Sequence, residues 1–269
     1  MKPLLFALLI FASAAETGAP AQPQTPPPAD PRVLVQQMVD NELHSTDRTT
    51  WRYREDTQEA DGLQTYEVIE TAQGKARKLL LTNGQPAGAD RIRAIDADND
   101  RLLNDPDYRA KQQKSDHDQA QQAERMLKLL PDGFVYTCDP SSTANTIVLH
   151  FEPNPQFQPP SSEAKVFHAM RGTLEIDAKQ MWMVHLSGTL ISDVNFGGGI
   201  FAKIKKGGTF DVRQTEIAPG HWMVTALAIH IDGRALIKTI TVRDNFVLSD
   251  FQSIPPDLTL SQAIDLLRQ

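Results

Sequence analysis

The stretch that decides the fold is HWMVTALAIHIDGRALIKTITVRDNFVL, residues 221–248. It contains two runs rich in β-branched and aromatic residues, separated at Gly233. Such runs on either side of a glycine predict two antiparallel strands. The first run is apolar on both predicted faces, with Trp222 and Val224 on one and Met223, Leu227 and Ile229 on the other. A strand with two apolar faces needs cover on both sides, so we expect it inside the protein.

Runs of the same kind recur through most of the chain. They occupy residues 51–57, 65–84, 134–138, 146–153, 172–177, 181–191 and 208–217. Turn residues such as Asp61-Gly62 and Gln73-Gly74 separate neighbouring runs, as is typical of hairpins. Short strands at this spacing predict a large, strongly curved antiparallel sheet, either a half or an open β-barrel.

Three helical segments are predicted around this sheet. Residues 31–44 and 259–269 have apolar stripes at helical spacing, and Thr259 and Gln262 in the second are in capping-box register. Residues 89–130 contain two such stripes, broken at Asp105-Pro106. The predicted fold class is therefore α+β: the curved sheet with an N-terminal helix, an inserted helical segment and a C-terminal helix.

The first 30 residues have the character of a secretion signal and a linker. Lys2 precedes a short apolar run that ends in small residues, which is typical of a cleaved signal peptide. We expect a signal peptide over 1–15, a proline-rich linker over 16–30 and a single domain over 31–269, with its helical insertion at about 89–130. The apolar run is too short to span a bilayer. The protein is therefore expected to be periplasmic or secreted and not membrane-spanning.

The single cysteine and the net charge narrow the classes of protein further. Cys138 lies far from the predicted cleavage site, so no lipid anchor is expected there, and we expect its side chain to be partly buried in the core. The net charge of −7 argues against nucleic acid and anionic membrane surfaces as partners, because both require clustered Lys and Arg.

The glycine-rich stretch NFGGGIFAKIKKGGTF, residues 195–210, raises the question of a nucleotide site. Gly197, Gly199 and Ala202 match the spacing of a dinucleotide fingerprint, but the run that follows is too short for the crossover helix that the fingerprint needs. We interpret the stretch as a bulge near Gly197–Gly199, a strand, and a hairpin turn at Lys206–Gly208. No cofactor is expected.

No metal site or catalytic residue is predicted. Asp96, Asp98, Asp100 and Asp107 have the spacing of a calcium loop, but Arg101 occupies the position that requires glycine. A solvated acidic helix face is the preferred interpretation. The histidines include no pair at zinc-ligand spacing, and whether His185, His221 and His230 converge across strands is left open.

The predicted sheet has more apolar surface than its own strands can cover. In residues 181–190, Trp182, Val184, Leu186 and Leu190 are expected on one face. This surface either is filled by helices or holds a ligand. In the second case, Trp182, Leu186 and Trp222 are the expected ligand-binding side chains. The polar residues 104–119 are then expected to form a lid.

Two resemblances bear on function. LPDGFVY, FEPNPQFQPPS, MRGTLEID, VNFGGGIFAKIKKGGTF and HWMVTALAIHIDGRALIKTI resemble segments of a group of secreted bacterial proteins whose biochemical role is unassigned. The order of predicted elements is similar to that of the periplasmic lipoprotein carriers of the LolA/LolB type and of sensor domains that share their half-barrel fold. The likeness to these carriers implies a concave apolar face, closed by helices and suited to acyl chains.

Three functions are consistent with the sequence. The first is a carrier or sensor of the cell envelope that binds a lipid or a lipoprotein acyl chain in an apolar groove. The second is an interaction module whose partner is another envelope protein. The third is an enzyme with a site assembled across strands, although no catalytic motif is present in the sequence.

Overall fold

The computed structural model describes residues 30–44, 50–196, 202–236 and 238–269. The helices are α1 (Pro31–His44), α2 (Ala89–Asn104), α3 (Pro106–Gly133), α4 (Leu260–Arg268) and a 3-10 helix over Glu163–Ala169. The strands are β1 (Thr50–Glu59), β2 (Gly62–Thr71), β3 (Gly74–Thr82), β4 (Gln85–Pro86), β5 (Phe134–Cys138), β6 (Thr146–Pro153), β7 (Met170–Asp177), β8 (Met183–Leu190), β9 (Val194–Phe196), β10 (Ala202–Ile204), β11 (Thr209–Ala218), β12 (His221–Ala235) and β13 (Lys238–Ile254). The predicted signal peptide lies outside the described residues. Within the described ranges, no helix has both the length and the apolar character that crossing a membrane requires.

The strands form one large antiparallel sheet. Its order is β4-β3-β2-β1-β13-β12-β11-β8-β7-β6-β5, and β10 pairs with both β12 and β9. The path has two separate ends, so the sheet is not closed into a barrel. Together with α1, the α2–α3 insertion and α4, this arrangement confirms the predicted α+β fold class.

The N-terminal helix covers one part of the sheet. The side chains of Leu34, Val35, Met38 and Val39 are buried and lie on one stripe of α1, as their spacing requires. They pack against buried side chains from β5 to β12, the 3-10 helix and the end of α3, which we call the main cluster. The helix occupies the bounds that the sequence predicted.

The inserted helices begin beside the opposite end of the sheet. The backbone N–H of Arg77 in β3 donates to Asn99 Oδ1 at 3.1 Å, and Asn99 Nδ2 donates back to the Arg77 carbonyl at 2.7 Å. An amide side chain thus takes the place of a neighbouring strand, which protects this edge from pairing with another chain. The predicted break is present, because Asp105 accepts the Tyr108 N–H as the cap of α3 and Pro106 follows it.

The terminal helix docks on β2 and β3. Thr259 and Gln262 form the predicted capping box. The buried face of α4 carries Leu260, Ala263, Ile264 and Leu267, which cluster with Ile69, Ala76 and Leu102. The C-terminal prediction is confirmed.

A β-bulge corrects the predicted faces of β12. Arg213 pairs with Ala226 and Gln214 with Val224, so Thr225 is an extra residue on β12. An extra residue reverses the alternation on one side of it. Val224, Leu227 and Ile229 therefore belong to the main cluster together. Met223 lies in another cluster with Trp51, Tyr53, Tyr66, Val68 and Leu79, which we call the aromatic cluster. The expectation that β12 is covered on both faces is correct at Trp222–Val224, but one face is exposed from Ala228 onward. Leu227 and Ile229 were assigned to the wrong face.

The glycine-rich stretch also differs from its prediction. β10 pairs with β9 and with β12. The predicted bulge at Gly197–Gly199 lies outside the described residues. β11 pairs with the same strand β12 further along. The predicted hairpin turn at Lys206–Gly208 is wrong, because a hairpin would pair β10 with β11. Instead, both strands pair with β12, and these residues connect them. Gly207 has φ +90° there, a conformation that side chains other than glycine rarely adopt.

The prediction for Cys138 is also wrong. Its side chain is exposed, whereas Phe134 and Tyr136 on the same strand are buried in the main cluster. The alternation of buried and exposed residues along β5 would bury Cys138. It is exposed because it is the last residue of β5, the end strand of the sheet.

Candidate functional site

The apolar face under α1 is the first candidate site. In α1, Val35, Met38 and Val39 have no exposed surface, so the helix itself fills the part of the face that it covers. Side chains of β7, β8, β11 and β12 complete the main cluster beneath it. Any apolar ligand of this face would have to enter beside α1 or take its place.

The three predicted ligand-binding residues lie at two positions. The rings of Trp182 and Trp222 stack with centroids 6.2 Å apart and an interplanar angle of 11°. The indole N–H of Trp222 donates to Gln180 Oε1 at 3.2 Å, and Asn41 of α1 donates to the Gln180 carbonyl at 2.9 Å. The tryptophan pair therefore lies where the C-terminal end of α1 meets the β7–β8 turn. Leu186 is buried in the main cluster.

A buried carboxyl group of α1 was not predicted. Glu42 is 1% exposed, and its Oε1 accepts the backbone N–H of Met183 at 3.3 Å. The side-chain amide of the buried Gln214 satisfies its neighbours when its nitrogen faces Glu42. In this orientation it donates to Glu42 Oε1 at 3.0 Å and to the Met183 carbonyl at 3.3 Å. Burial raises the pKa of Glu42 to about 7, an effect that these hydrogen bonds only partly oppose.

The sequence contained a signal for this residue. Glu42 continues the apolar stripe of Val35, Met38 and Val39 at helical spacing, so an acidic residue falls on the predicted buried face of α1. Its partners on β8 and β11 are far away in sequence, and only the sheet pairing brings them together.

A second group of polar side chains lies against the aromatic cluster. The hydroxyl of Tyr53 donates to Glu70 Oε1 at 2.9 Å, and Lys75 Nζ lies 2.6 Å from the same oxygen. Burial, the main cause, raises the pKa of Tyr53 above its usual range. The phenol therefore keeps its proton and is a poor candidate for a catalytic base.

Arg77 extends this polar network along the neighbouring strands. Its guanidinium lies 3.4 Å from Glu55 and 5.8 Å from the ring centroid of Tyr66. The hydroxyl of Tyr66 donates to Glu59 at 2.8 Å. These contacts satisfy the polar atoms of a largely buried region, as structural networks do.

The three histidines left open by the sequence do not converge. His185 Nε2 lies 2.9 Å from Asp211 Oδ2, and its Nδ1 lies 3.2 Å from Glu175 Oε1. His221 and His230 are both on β12, about 30 Å apart along the strand at roughly 3.3 Å per residue. No group of three or more His, Cys, Asp or Glu side chains in the described part of the chain is arranged to hold a metal ion.

The acidic stretch with calcium-loop spacing is helical. Asp98 accepts the hydroxyl of Tyr108 at 2.7 Å, and Asp100 lies 2.6 Å from an Arg268 nitrogen. Both aspartates therefore have protein partners, which agrees with the preferred interpretation of a helix face.

A basic cavity of about 590 Å³, which we call the lysine cavity, lies between the ends of several strands. It is lined by Asp193, Lys203, Lys205, Lys206, Gly233, Arg234 and Thr239. From the sequence, the glycine-rich stretch was considered only as a nucleotide-binding loop and rejected on its spacing, so the clustering of its lysines with Arg234 was not predicted. A further cavity, of about 390 Å³, lies at the α2–α3 junction beside Tyr108 and Lys111.

No protein-family model, curated protein or solved structure matches this chain. The assignment of function therefore depends on the geometry described above.

Proposed function

We propose that the protein is a carrier or sensor of the cell envelope that binds an acyl chain on the apolar face of its sheet, where α1 is seated. The observation that carries this proposal is the packing of α1, whose apolar stripe is fully buried and includes one carboxyl group. The resemblance to half-barrel lipoprotein carriers, drawn from the order of elements, leads to the same expectation.

The apolar stripe of α1 occupies the kind of surface that an acyl chain requires. Burying one aliphatic side chain contributes about 1.5–3 kcal/mol, and each buried CH₂ contributes about 0.8 kcal/mol. A long acyl chain therefore gains about as much from this face as the side chains of α1 do. Replacing the side chains of α1 by an acyl chain then changes the free energy little. A carrier requires this, because it must both take up and release its ligand.

Glu42 makes the seated position of α1 less stable than an apolar residue would. A carboxylate inside the main cluster is disfavoured by desolvation, and the raised pKa of Glu42 expresses this penalty. A buried carboxyl group does not stabilise a helix that stays packed on the sheet. A helix that leaves the sheet when ligand binds must be held less firmly, and such a residue lowers the stability of its packing. We infer that α1 is the displaceable cover of the binding face.

The proposal is tested by native mass spectrometry of the protein purified from the envelope of its source cells. We expect a population that carries one acyl-chain lipid, and we expect delipidated protein to take up a long-chain fatty acid with the same stoichiometry. Protein that is lipid-free as isolated and takes up no fatty acid would contradict the proposal. A Val33→Ala variant, altered on the exposed side of α1, is the control and should behave as the wild type does.

A further inference from the structure

The lysine cavity is built by residues that cross-strand pairing places side by side. Lys203 on β10 pairs with Asn195 on β9 and with Arg234 on β12, and Arg234 pairs with Thr239 on β13. Directly paired residues lie on the same face of a sheet. Four strands therefore contribute to one row, in which two of the four side chains are cationic.

Gly233 allows β10, which carries Lys203, and β12, which carries Arg234, to approach closely. A Cβ atom on Gly233 would lie 2.7 Å from the backbone oxygen of Lys203, a separation too short for non-bonded atoms. Glycine is therefore required at this position by the neighbouring backbone, and the spacing between Lys203 and Arg234 is a fixed property of the fold.

The charges of the cavity do not balance within it. Its lining contains four cationic side chains and one carboxylate, a local excess of +3, in a chain whose net charge is −7. Asp193 lies 2.6 Å from Lys203 Nζ and accepts the backbone N–H of Lys206 at 2.8 Å. The hydrogen bond from Lys203, the largest cause, lowers the pKa of Asp193, so the carboxylate is occupied and ionised.

Two lysines remain without an ion pair. The side chains of Lys205 and Lys206 are exposed at the cavity, and neither ammonium group lies within ion-pair distance of a carboxylate in the described ranges. The nearby Asp232 accepts the hydroxyl of Thr241 at 2.7 Å, and this hydrogen bond is the main reason that its pKa is lowered. Neither lysine is therefore held in a direct ion pair among the described residues, although Lys205 interacts at longer range with Asp193 and Asp232.

We propose that the lysine cavity binds a phosphate monoester group. A dianion matches the two lysines that form no ion pair, lysines bind phosphate as point charges, and the hydroxyl of Thr239 adds a neutral donor. The group can be presented by a phospholipid headgroup or by a soluble phosphorylated molecule. This site is independent of the acyl-binding face, and it revises the expectation, drawn from net charge alone, that anionic surfaces are not partners.

The test compares two probes with the same headgroup chemistry. Wild-type protein is titrated with phosphatidylcholine vesicles that contain phosphatidic acid, and separately with glycerol phosphate. The double variant Lys205→Gln/Lys206→Gln removes the unpaired cations. The control variant Lys165→Gln/Lys179→Gln removes two exposed lysines elsewhere on the surface. Circular dichroism establishes that both variants are folded.

We expect wild-type protein to bind at low ionic strength and the Lys205/Lys206 variant to bind roughly ten- to thirtyfold more weakly, since each basic residue near an anionic surface contributes about 1 kcal/mol. The Lys165/Lys179 variant should bind as the wild type does. Binding to vesicles alone identifies a lipid headgroup, and binding to glycerol phosphate as well identifies a soluble group; either result supports the site. Absence of binding to both probes, or an equal loss in the two variants, would overturn the proposal.

Discussion

The main cluster and the aromatic cluster belong to one sheet but are covered in different ways. Above the main cluster lies α1, whose inward side chains are apolar except for Glu42. The aromatic cluster is shielded by half-buried charged side chains, among them Lys75 and Arg77. A helix excludes water with carbon atoms, whereas long charged side chains exclude it with their stems and keep their ends solvated.

Under the proposed function, the main cluster is the region that exchanges its cover and the aromatic cluster is the region that does not. The main cluster is covered by α1, the end of α3 and the 3-10 helix, and we propose that α1 is the element that leaves as a unit. The cover of the aromatic cluster includes charged side chains of the sheet itself, such as Lys75 of β3, whose Nζ donates to the Tyr53 hydroxyl at 3.3 Å, together with Ile95 of α2. We therefore place ligand exchange at α1, and we expect mutations in the two regions to differ in size and in salt dependence.

The largest effect is expected in the main cluster. Met38→Ala should lower the free energy of unfolding by about 2–5 kcal/mol, because it leaves a cavity under α1. Urea denaturation measures this loss, and it should change little between low and high salt. Val33→Ala on the exposed side of the same helix should cost less than about 0.5 kcal/mol. Equal effects of the two substitutions would mean that α1 does not pack as described.

The next effect concerns Glu42, the buried carboxyl group of α1. The pKa of Glu42 is about 7 in the folded protein, against an ordinary value of 4.5. Between these values the folded state binds more protons than the unfolded state, so stability falls as the pH rises from about 4.5 to 7 and is level above that. The total loss attributable to Glu42 is on the order of 3 kcal/mol.

Glu42→Gln should remove this dependence, since glutamine stays neutral. The variant should gain stability relative to the wild type as the pH rises from 5 to 8, as measured by thermal or urea unfolding at each pH. Glu152→Gln, at an exposed position, is the control and should follow the wild-type curve. Parallel curves for Glu42→Gln and the wild type would show that Glu42 is solvated in the folded state.

A smaller effect is expected in the aromatic cluster. The pair of Arg77 and Glu55 is partly buried, so a double-mutant cycle of Arg77→Met and Glu55→Gln should give a coupling energy of about 1 kcal/mol that declines with added salt. The exposed pair of Lys114 and Asp118 should give about 0.5 kcal/mol or less. Coupling that is insensitive to salt would remove the distinction between the two clusters.

An effect of similar size is expected outside both clusters, at Gly207. No atom lies within 4 Å of a Cβ added there, so only the positive φ opposes a side chain. Gly207→Ala should lower the free energy of unfolding by about 1 kcal/mol, and Gly207→Asn should lower it less because asparagine tolerates positive φ better. Urea denaturation again measures the effect. A larger loss for asparagine than for alanine would argue against this explanation.

The local patterns of the sequence were enough to predict the four α-helices. The stripe of α1, the break at Asp105 and the capping box at Thr259 are properties of neighbouring residues, and all three are present in the structure. The predicted faces of β12 failed at Thr225, because a bulge depends on how two strands pair and leaves no local signal.

The sites were harder to predict than the elements, for the same reason. Stacking of Trp182 on Trp222 joins the β7–β8 turn to the distant strand β12, and the lysine cavity combines residues of β10, β12 and β13 with the segments beside them. Such sites depend on strand order, which a single sequence does not specify. Glu42 is the exception, since its place on the apolar stripe was visible in the sequence.

The measurement that tests acyl-chain binding most directly uses the tryptophans of the two regions as separate reporters. A Trp51→Phe variant retains Trp182 and Trp222 beside α1, and a Trp182→Phe/Trp222→Phe variant retains Trp51 in the aromatic cluster. Both are titrated with long-chain fatty acids of several lengths. We expect a saturable fluorescence change in the first variant only, with a rise in melting temperature as ligand binds the folded state. Unchanged fluorescence and melting temperature in the first variant, or the same response in both variants, would contradict acyl-chain binding at the α1 face.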